Sequence, residues 1–249
     1  MNKTAFHVHT YRCGHAENIS DETYVKKAIE LGVKSIWFTD HAPFPDNPFG
    51  ARMQYSQLEE YIQTLSELKK KYSEINIHIG LETEYFPSYD KTGYYQYLRS
   101  IPELEMLLLG QHMAEISDNP PAYSFSLDTE QLCQKEYQLL GNAILQGMKT
   151  GYFQAVAHPD RIFRRCITWN DEMEKLSSKI IDESISANIP LEMNQASFEN
   201  PKYYRCEFWN LVPDYAERII GLDAHSLYEL ESRYERKIPE FIMPKFLKE

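Results

Sequence analysis

Seven of the eight histidines in this chain fall into short motifs, several with a carboxylate alongside: His7-Val8-His9, His15, Asp40-His41, Glu82, His112, His158 and Asp223-Ala224-His225. Imidazole and carboxylate are common protein donors for catalytic transition metals. Residues two apart on a strand share a face, so His7 and His9 are placed to grip one ion together. One ion takes roughly three to six donors, and seven histidines with Glu82 and Asp223 exceed that, which points to two or three divalent ions. Ions about 3.5–4 Å apart lower the pKa of a shared water and clamp phosphate oxygens, the machinery of phosphate ester hydrolysis. Glu82 and Asp223 only partly offset the charge of such a cluster, so the pocket should be positive and should prefer a phosphate monoester dianion.

Donors so widely scattered along the chain need elements that bring them to one place. Short apolar runs alternate with stretches of helical periodicity, and each run ends at or beside one of these residues, the pattern of repeated β-α units. Expected strands are Ala5 to His9, Lys34 to Thr39 delivering Asp40 and His41, Ile75 to Leu81 ending on Glu82, and Glu105 to Gly110 preceding His112. Phe153 to Ala157 delivers His158, Ile189 to Asn194 is the sixth, and Arg218 to Leu222 delivers Asp223 and His225. Ser20 is placed to cap a helix after the first strand. Leu58, Tyr61, Ile62, Leu65, Leu68 and Tyr72 form the apolar stripe of another helix, a further helical segment follows Thr129, and Asp171 to Ala187 reads as helix. Parallel β/α barrels place their functional residues at the C-terminal ends of the strands, which explains the dispersal.

Composition sets limits on the remaining possibilities. The 249 residues contain no Pro/Gly/Ser-rich linker, so a single domain over 1–249 is expected, and 18 Tyr and 12 Phe supply ample core. A net charge of −11 disfavours an extended grip on nucleic acid. No stretch has the length and apolarity of a membrane span or a signal peptide. Cys13, Cys133, Cys166 and Cys206 form no Cys-x-x-Cys pair, as suits free thiols and a cytoplasmic location. Oligomeric state is not legible.

The runs His7-Val8-His9-Thr10, His15, Thr39-Asp40-His41-Ala42-Pro43, Gly80-Leu81-Glu82, His112, Ala157-His158 and Asp223-Ala224-His225 resemble, in order, the motifs of the PHP (polymerase and histidinol phosphatase) superfamily of metallophosphoesterases. The Thr-Asp-His-Ala-Pro-x-Pro run and the Cys-x-His segment are most similar to its histidinol-phosphate phosphatases. The resemblance implies a distorted (β/α)7 barrel of the PHP type with a trinuclear site of Zn, Mn or Fe. It implies that His7, His9, Glu82 and Asp223 hold one ion, that a bridging Glu82 joins His112 and His158 on a second, and that His15, His41 and His225 hold a third. Glu82, Asp223 and His225 would then be the catalytic core. A basic group after the His158 motif helps hold phosphate in similar enzymes; here Arg161, Arg164 and Arg165 follow, and Arg161 and Arg164 are taken as substrate contacts. Some relatives carry a further arginine after the sixth strand, where this chain reads Asn194-Gln195-Ala196-Ser197.

Other residues have plainer readings. His78 is structural, Asp40 supports a neighbour rather than binding metal, and Cys13 packs. Glu84 either supports a ligand or is solvated or in contact with substrate, and Tyr94, Tyr95, Tyr97, Tyr203 and Tyr204 either line a ring-binding pocket or pack. The implied function is hydrolysis of L-histidinol phosphate in histidine biosynthesis. Its alternatives are hydrolysis of another small phosphate ester, nucleotide or short oligonucleotide, and a metal-bound regulatory domain without turnover.

Overall fold

The computed structural model describes residues 4–124 and 130–236. They fall into two compact units: residues 4–82 with 101–107 and 220–236, and residues 83–100 with 108–124 and 130–219.

In the first unit, β1 (Thr4–Val8), β2 (Ser35–His41) and β3 (Asn76–Thr83) are buried along nearly their whole length, as parallel strands covered on both faces are. β2 and β3 pair in unbroken parallel register from Ser35 opposite Asn76 to His41 opposite Glu82, which sets those two donors side by side at the strand ends. Helix α1 (Asp21–Glu30) follows Ser20 at its N-cap position and buries Tyr24, Val25 and Ala28. Helix α2 (Leu58–Lys71) buries Leu58, Tyr61, Leu65 and Leu68, the expected stripe, and the Tyr61 hydroxyl donates to the Gly80 carbonyl of β3 at 2.9 Å. At the other edge, the segment after β9 (Arg218–Gly221) closes onto β1: Leu222 N–H donates to Phe6 O at 2.7 Å, Ala224 N–H to His7 O at 3.1 Å, and His9 N–H to Ala224 O at 2.9 Å. Helix α9 (Leu227–Glu235) follows, capped by the Ser226 hydroxyl.

In the second unit, α3 (Pro87–Lys91) is followed by α4 (Tyr94–Arg99), whose Tyr95 packs in an aromatic cluster with Tyr85 and Phe153. β4 (Met106–Leu109) reaches this unit at Leu108, pairing it with Ala155 of β7 (Ala155–Val156), and Val156 in turn pairs with Leu191 of β8 (Leu191–Asn194). Helices α5 (Glu130–Lys149) and α6 (Asp171–Ala187) pack where Gly141 leaves room for Leu176. Helix α6 occupies its expected span, started by the Asn170 side chain on Met173 N–H and ended by Asn188 in the left-handed region. Short helices α7 (Gln195–Phe198) and α8 (Cys206–Leu211) complete the unit.

The seven strands form one sheet in the order β1-β2-β3-β4-β7-β8-β9, the expected distorted (β/α)7 barrel. A second sheet was not expected: β5 (Glu115–Asp118) and β6 (Pro121–Tyr123) pair as an antiparallel hairpin. Strand β7 has two residues where five were expected, and two residues beyond it His158 leaves the extended region at φ 32°. Among the described residues, no helix is long and apolar enough to cross a membrane. Cys13, Cys166 and Cys206 are free thiols, and the Cys133 side chain lies outside the described residues.

Candidate metal centre

Seven of the nine expected donors come together within the first unit. His7 and His9 leave β1, His41 and Glu82 end β2 and β3, His15 follows a short 3-10 turn, and Asp223 and His225 follow β9. One carboxylate oxygen, Glu82 Oε2, faces three imidazole nitrogens: His7 Nε2 at 3.3 Å, His9 Nε2 at 3.6 Å and His41 Nδ1 at 3.2 Å. Asp223 Oδ1 faces His9 Nε2 at 3.3 Å, His225 Nδ1 at 3.6 Å and His7 Nε2 at 3.9 Å. One donor atom each from His15, His41 and His225 lies within 4.8 Å of the others.

Donors placed about 2.0–2.1 Å from a tetrahedral ion are about 3.3–3.4 Å apart, close to the spacing seen here. The rings crowd to match: the His9 and His225 centroids are 4.0 Å apart and nearly parallel, and His15 lies 4.6 Å from His225. Burial and the neighbouring His9 push His225 down to about 3, so the ring stays neutral, and its buried Nε2 makes no hydrogen bond. Such a nitrogen fits a metal. Burial acts to lower His9 as well, but Asp223 and Asp40 outweigh it and raise the ring to about 9. These groups suit divalent ions.

The same-face argument for His7 and His9 holds for a different reason than a flat strand. The β1–β2 register shifts between Ala5 and Val8, and His7 sits at φ 68°. His158 at φ 32° and Asp223 at φ 52° share the left-handed region, which costs a non-glycine residue about 1–3 kcal/mol. Three of the nine expected donors therefore sit on backbone held in place by its surroundings.

Buried groups behind the donors orient them. Asp40 Oδ1 lies 3.4 Å from His9 Nδ1 and accepts from His41 N–H at 2.8 Å, while Oδ2 accepts from the Thr10 hydroxyl, so Asp40 supports donors as expected. Arg12 extends the support outward. Its guanidinium donates to Thr10 Oγ1 at 3.2 Å, to both Asp21 oxygens at 2.8 and 3.0 Å, and to Glu60 of α2. Neither Thr10 nor Arg12 stood out in sequence; the one available hint was their place between two donor motifs. Cys13 is buried, and burial, with Asp40 nearby, raises its thiol to about 12, consistent with packing rather than reactivity.

The second unit carries His112 and His158, whose ring centroids are 5.0 Å apart. Glu84 Oε1 lies 3.2 Å from His112 Nδ1, and its carboxylate is buried, so Glu84 supports a donor and the solvated reading falls. Glu192 Oε2 accepts from His158 N–H and from the Asn194 amide, both at 3.1 Å. Arg161 donates to Asn194 Oδ1 at 3.0 Å and Ser197 Oγ at 3.2 Å, bringing an arginine to the stretch after the sixth strand. Arg164 donates to the His112 carbonyl at 3.0 Å and to Glu136 at 3.3 Å. Asp160, pushed up to about 6 by burial, accepts from Arg205 N–H and the Trp209 indole and anchors the turn between His158 and these arginines.

The pocket reading of the tyrosines is corrected for Tyr94 and Tyr95. Both are buried, and the Tyr95 hydroxyl is taken up by Glu84 O and Phe86 N–H. Tyr97 is exposed, and Tyr203 lies 5.2 Å from the Arg161 guanidinium. His78 is structural as expected, stacked on Trp37 at 4.2 Å and paired with Glu105 at 2.7 Å.

Known proteins share this plan. A Deinococcus radiodurans protein named as a probable histidinol-phosphatase is 27% identical over 246 residues, covering 94% of this chain and 90% of its own. Histidinol-phosphatase of Bacillus subtilis is 36% identical over 97 residues, 36% of either chain. The crystal structure of histidinol phosphate phosphatase from Lactococcus lactis, complexed with Zn, L-histidinol and phosphate, superposes with a TM-score of 0.68 at 21% identity, covering 97% of both chains, and so shares the fold. The PHP domain pattern itself runs through residues 5–196, from the first histidine strand past the sixth strand, and the chain belongs to the PHP domain family.

Proposed function

We propose that this protein is a metal-dependent phosphomonoesterase that hydrolyses L-histidinol phosphate to L-histidinol and inorganic phosphate. The observation that carries the reading is the convergence of three imidazole nitrogens on Glu82 Oε2, at 3.2 to 3.6 Å, in a family whose curated relatives bear the histidinol-phosphatase name. In the proposal His7, His9, Glu82 and Asp223 hold one ion and His15, His41 and His225 another. His112 and His158 serve a third, with Zn, Mn and Fe as the metals.

When bound, such ions lower the pKa of water and neutralise charge on phosphoryl oxygens. The chain's own part is to orient the donors. Asp40 holds His9 and Glu84 holds His112, each through Nδ1, which leaves Nε2 of each ring to donate. Arg161 and Arg164 supply positive charge for the phosphoryl oxygens in the unit that carries His112 and His158. A cytoplasmic setting belongs to the same proposal, since free thiols suit a reducing compartment.

The test is phosphate release by the Mn-loaded protein from L-histidinol phosphate, beside a phosphodiester and a panel of nucleotide and sugar monophosphates. A marked preference for histidinol phosphate is expected. Faster turnover of another ester would keep the metal chemistry and remove the substrate. No turnover with Zn, Mn or Fe would favour a non-catalytic metal-bound domain.

A further inference from the structure

The second unit contains a cleft of about 710 Å³ whose lining holds Arg164, Arg165, Lys202 and Arg205 and no acidic side chain. Glu136, behind it, is shared by Arg164 at 3.3 Å and Arg165 at 3.2 Å. Among the described residues, the four cations of the lining outnumber the carboxylate that Arg164 and Arg165 share, a positive basin in a chain of net charge −11. A concave site of one sign concentrates counter-ions. None of the lining residues is an expected metal donor, and of the two arginines proposed to face the reacting phosphoryl only Arg164 lines the cleft, so the cleft adjoins that site without coinciding with it. L-histidinol phosphate does not suit it, because its amino group would bring a further positive charge among the four.

We propose that this cleft binds a second ligand, an organic phosphate of nucleotide size. Guanidinium forks match the several oxygens of a phosphate, and a group with two or more negative charges answers the cationic excess better than a single carboxylate does. The volume lies within the range of small-molecule sites and far exceeds what a lone phosphate fills. The lining also offers an apolar wall for an organic body: Ile167, a large aliphatic side chain left 96% exposed, and the Tyr203 ring. Arg164 lines the cleft and donates to the His112 carbonyl, so occupation of the cleft is communicated to His112. That consequence rests on the metal role proposed above for His112, whereas binding itself does not.

The experiment is calorimetric titration of the metal-loaded protein with adenosine 5′-(α,β-methylene)diphosphate, which resists hydrolysis. It is compared with the Lys202→Glu/Ile167→Asp variant, whose two substitutions lie on exposed positions away from the donors. One molecule should bind per chain, with affinity at least about tenfold weaker in the variant, whose kcat and KM for histidinol phosphate stay at the parental values. Absence of binding at millimolar concentration, equal affinity in the variant, or purely competitive inhibition with the same constant in both proteins would overturn the proposal. A protein inactive on histidinol phosphate that still bound the probe in a Lys202-dependent way would support the cleft and remove only the substrate reading.

Discussion

His9 is a donor whose ionisation departs from what a metal needs. Burial lowers its pKa, but Asp223 and Asp40 hold it at about 9, so the metal-free protein carries a proton there at neutral pH. A ring with a raised pKa stabilises the metal-free fold fully below the ordinary histidine value of 6.5, and that contribution is lost as pH rises through about 9. Metal must displace this proton, so affinity should fall as pH drops below about 9. Loading Zn at neutral pH should release about one proton per chain from His9, measurable by calorimetry in buffers of different ionisation enthalpy; no buffer dependence would contradict it. The groups behind the donors should be graded by contact. Asp40→Ala removes the acceptor at His9 Nδ1 and should weaken metal binding roughly 10–100-fold in a chelator competition. Cys13→Ala, removing a thiol that stays protonated, should leave metal content unchanged.

At the level of elements, the close pass of β3 against β4 is set by one glycine. A Cβ at Gly80 would lie 3.0 Å from the Met106 carbonyl oxygen and 3.2 Å from Thr39 Cγ2. Backbone cannot yield as a side-chain tip does, so Gly80→Ala should cost about 1–3 kcal/mol in denaturant unfolding, exceeding the about 0.4–1 kcal/mol gained by restricting the unfolded chain. It should also lower metal content, because Glu82 lies two residues along the same strand. A variant as stable as the parent would show that the strands can part without cost. The strands and the order of their donors were legible because each apolar run ends on a chemically distinctive residue. Helix α6 was legible to its ends through Asn170 and Asn188. The β5–β6 hairpin was not: its strands are short, and the Pro120-Pro121 pair within it reads as loop. Nor was the meeting of Arg161 with Asn194 and Ser197, since a contact across 33 and 36 positions depends on how β7 and β8 are paired.

For the whole molecule, metal and fold are thermodynamically linked. Glu82 and Asp223 share their space with four imidazoles, and ions bound there stabilise the folded state by mass action, about 4 kcal/mol at a free concentration a thousand times Kd. At about 2–4 °C per kcal/mol for a chain of this size, chelation should lower the melting temperature by about 8–16 °C and abolish phosphatase activity, with Mn or Zn restoring both. An unchanged melting point in chelator would mean that the donors hold no ion.

The bonds that join residues 6–9 to 222–224 also impose a schedule. A ribosome adding about 5–20 residues per second delivers His7 and His9 roughly 10–40 s before Asp223 and His225. Throughout that interval the emerging chain holds a partial donor set, and the β1 edge lacks the segment that later pairs with it. An ion caught early is held by too few groups to be discriminated from its competitors. The choice of metal is therefore made late, when the last turn of chain docks, and is governed by which ions are available at that moment.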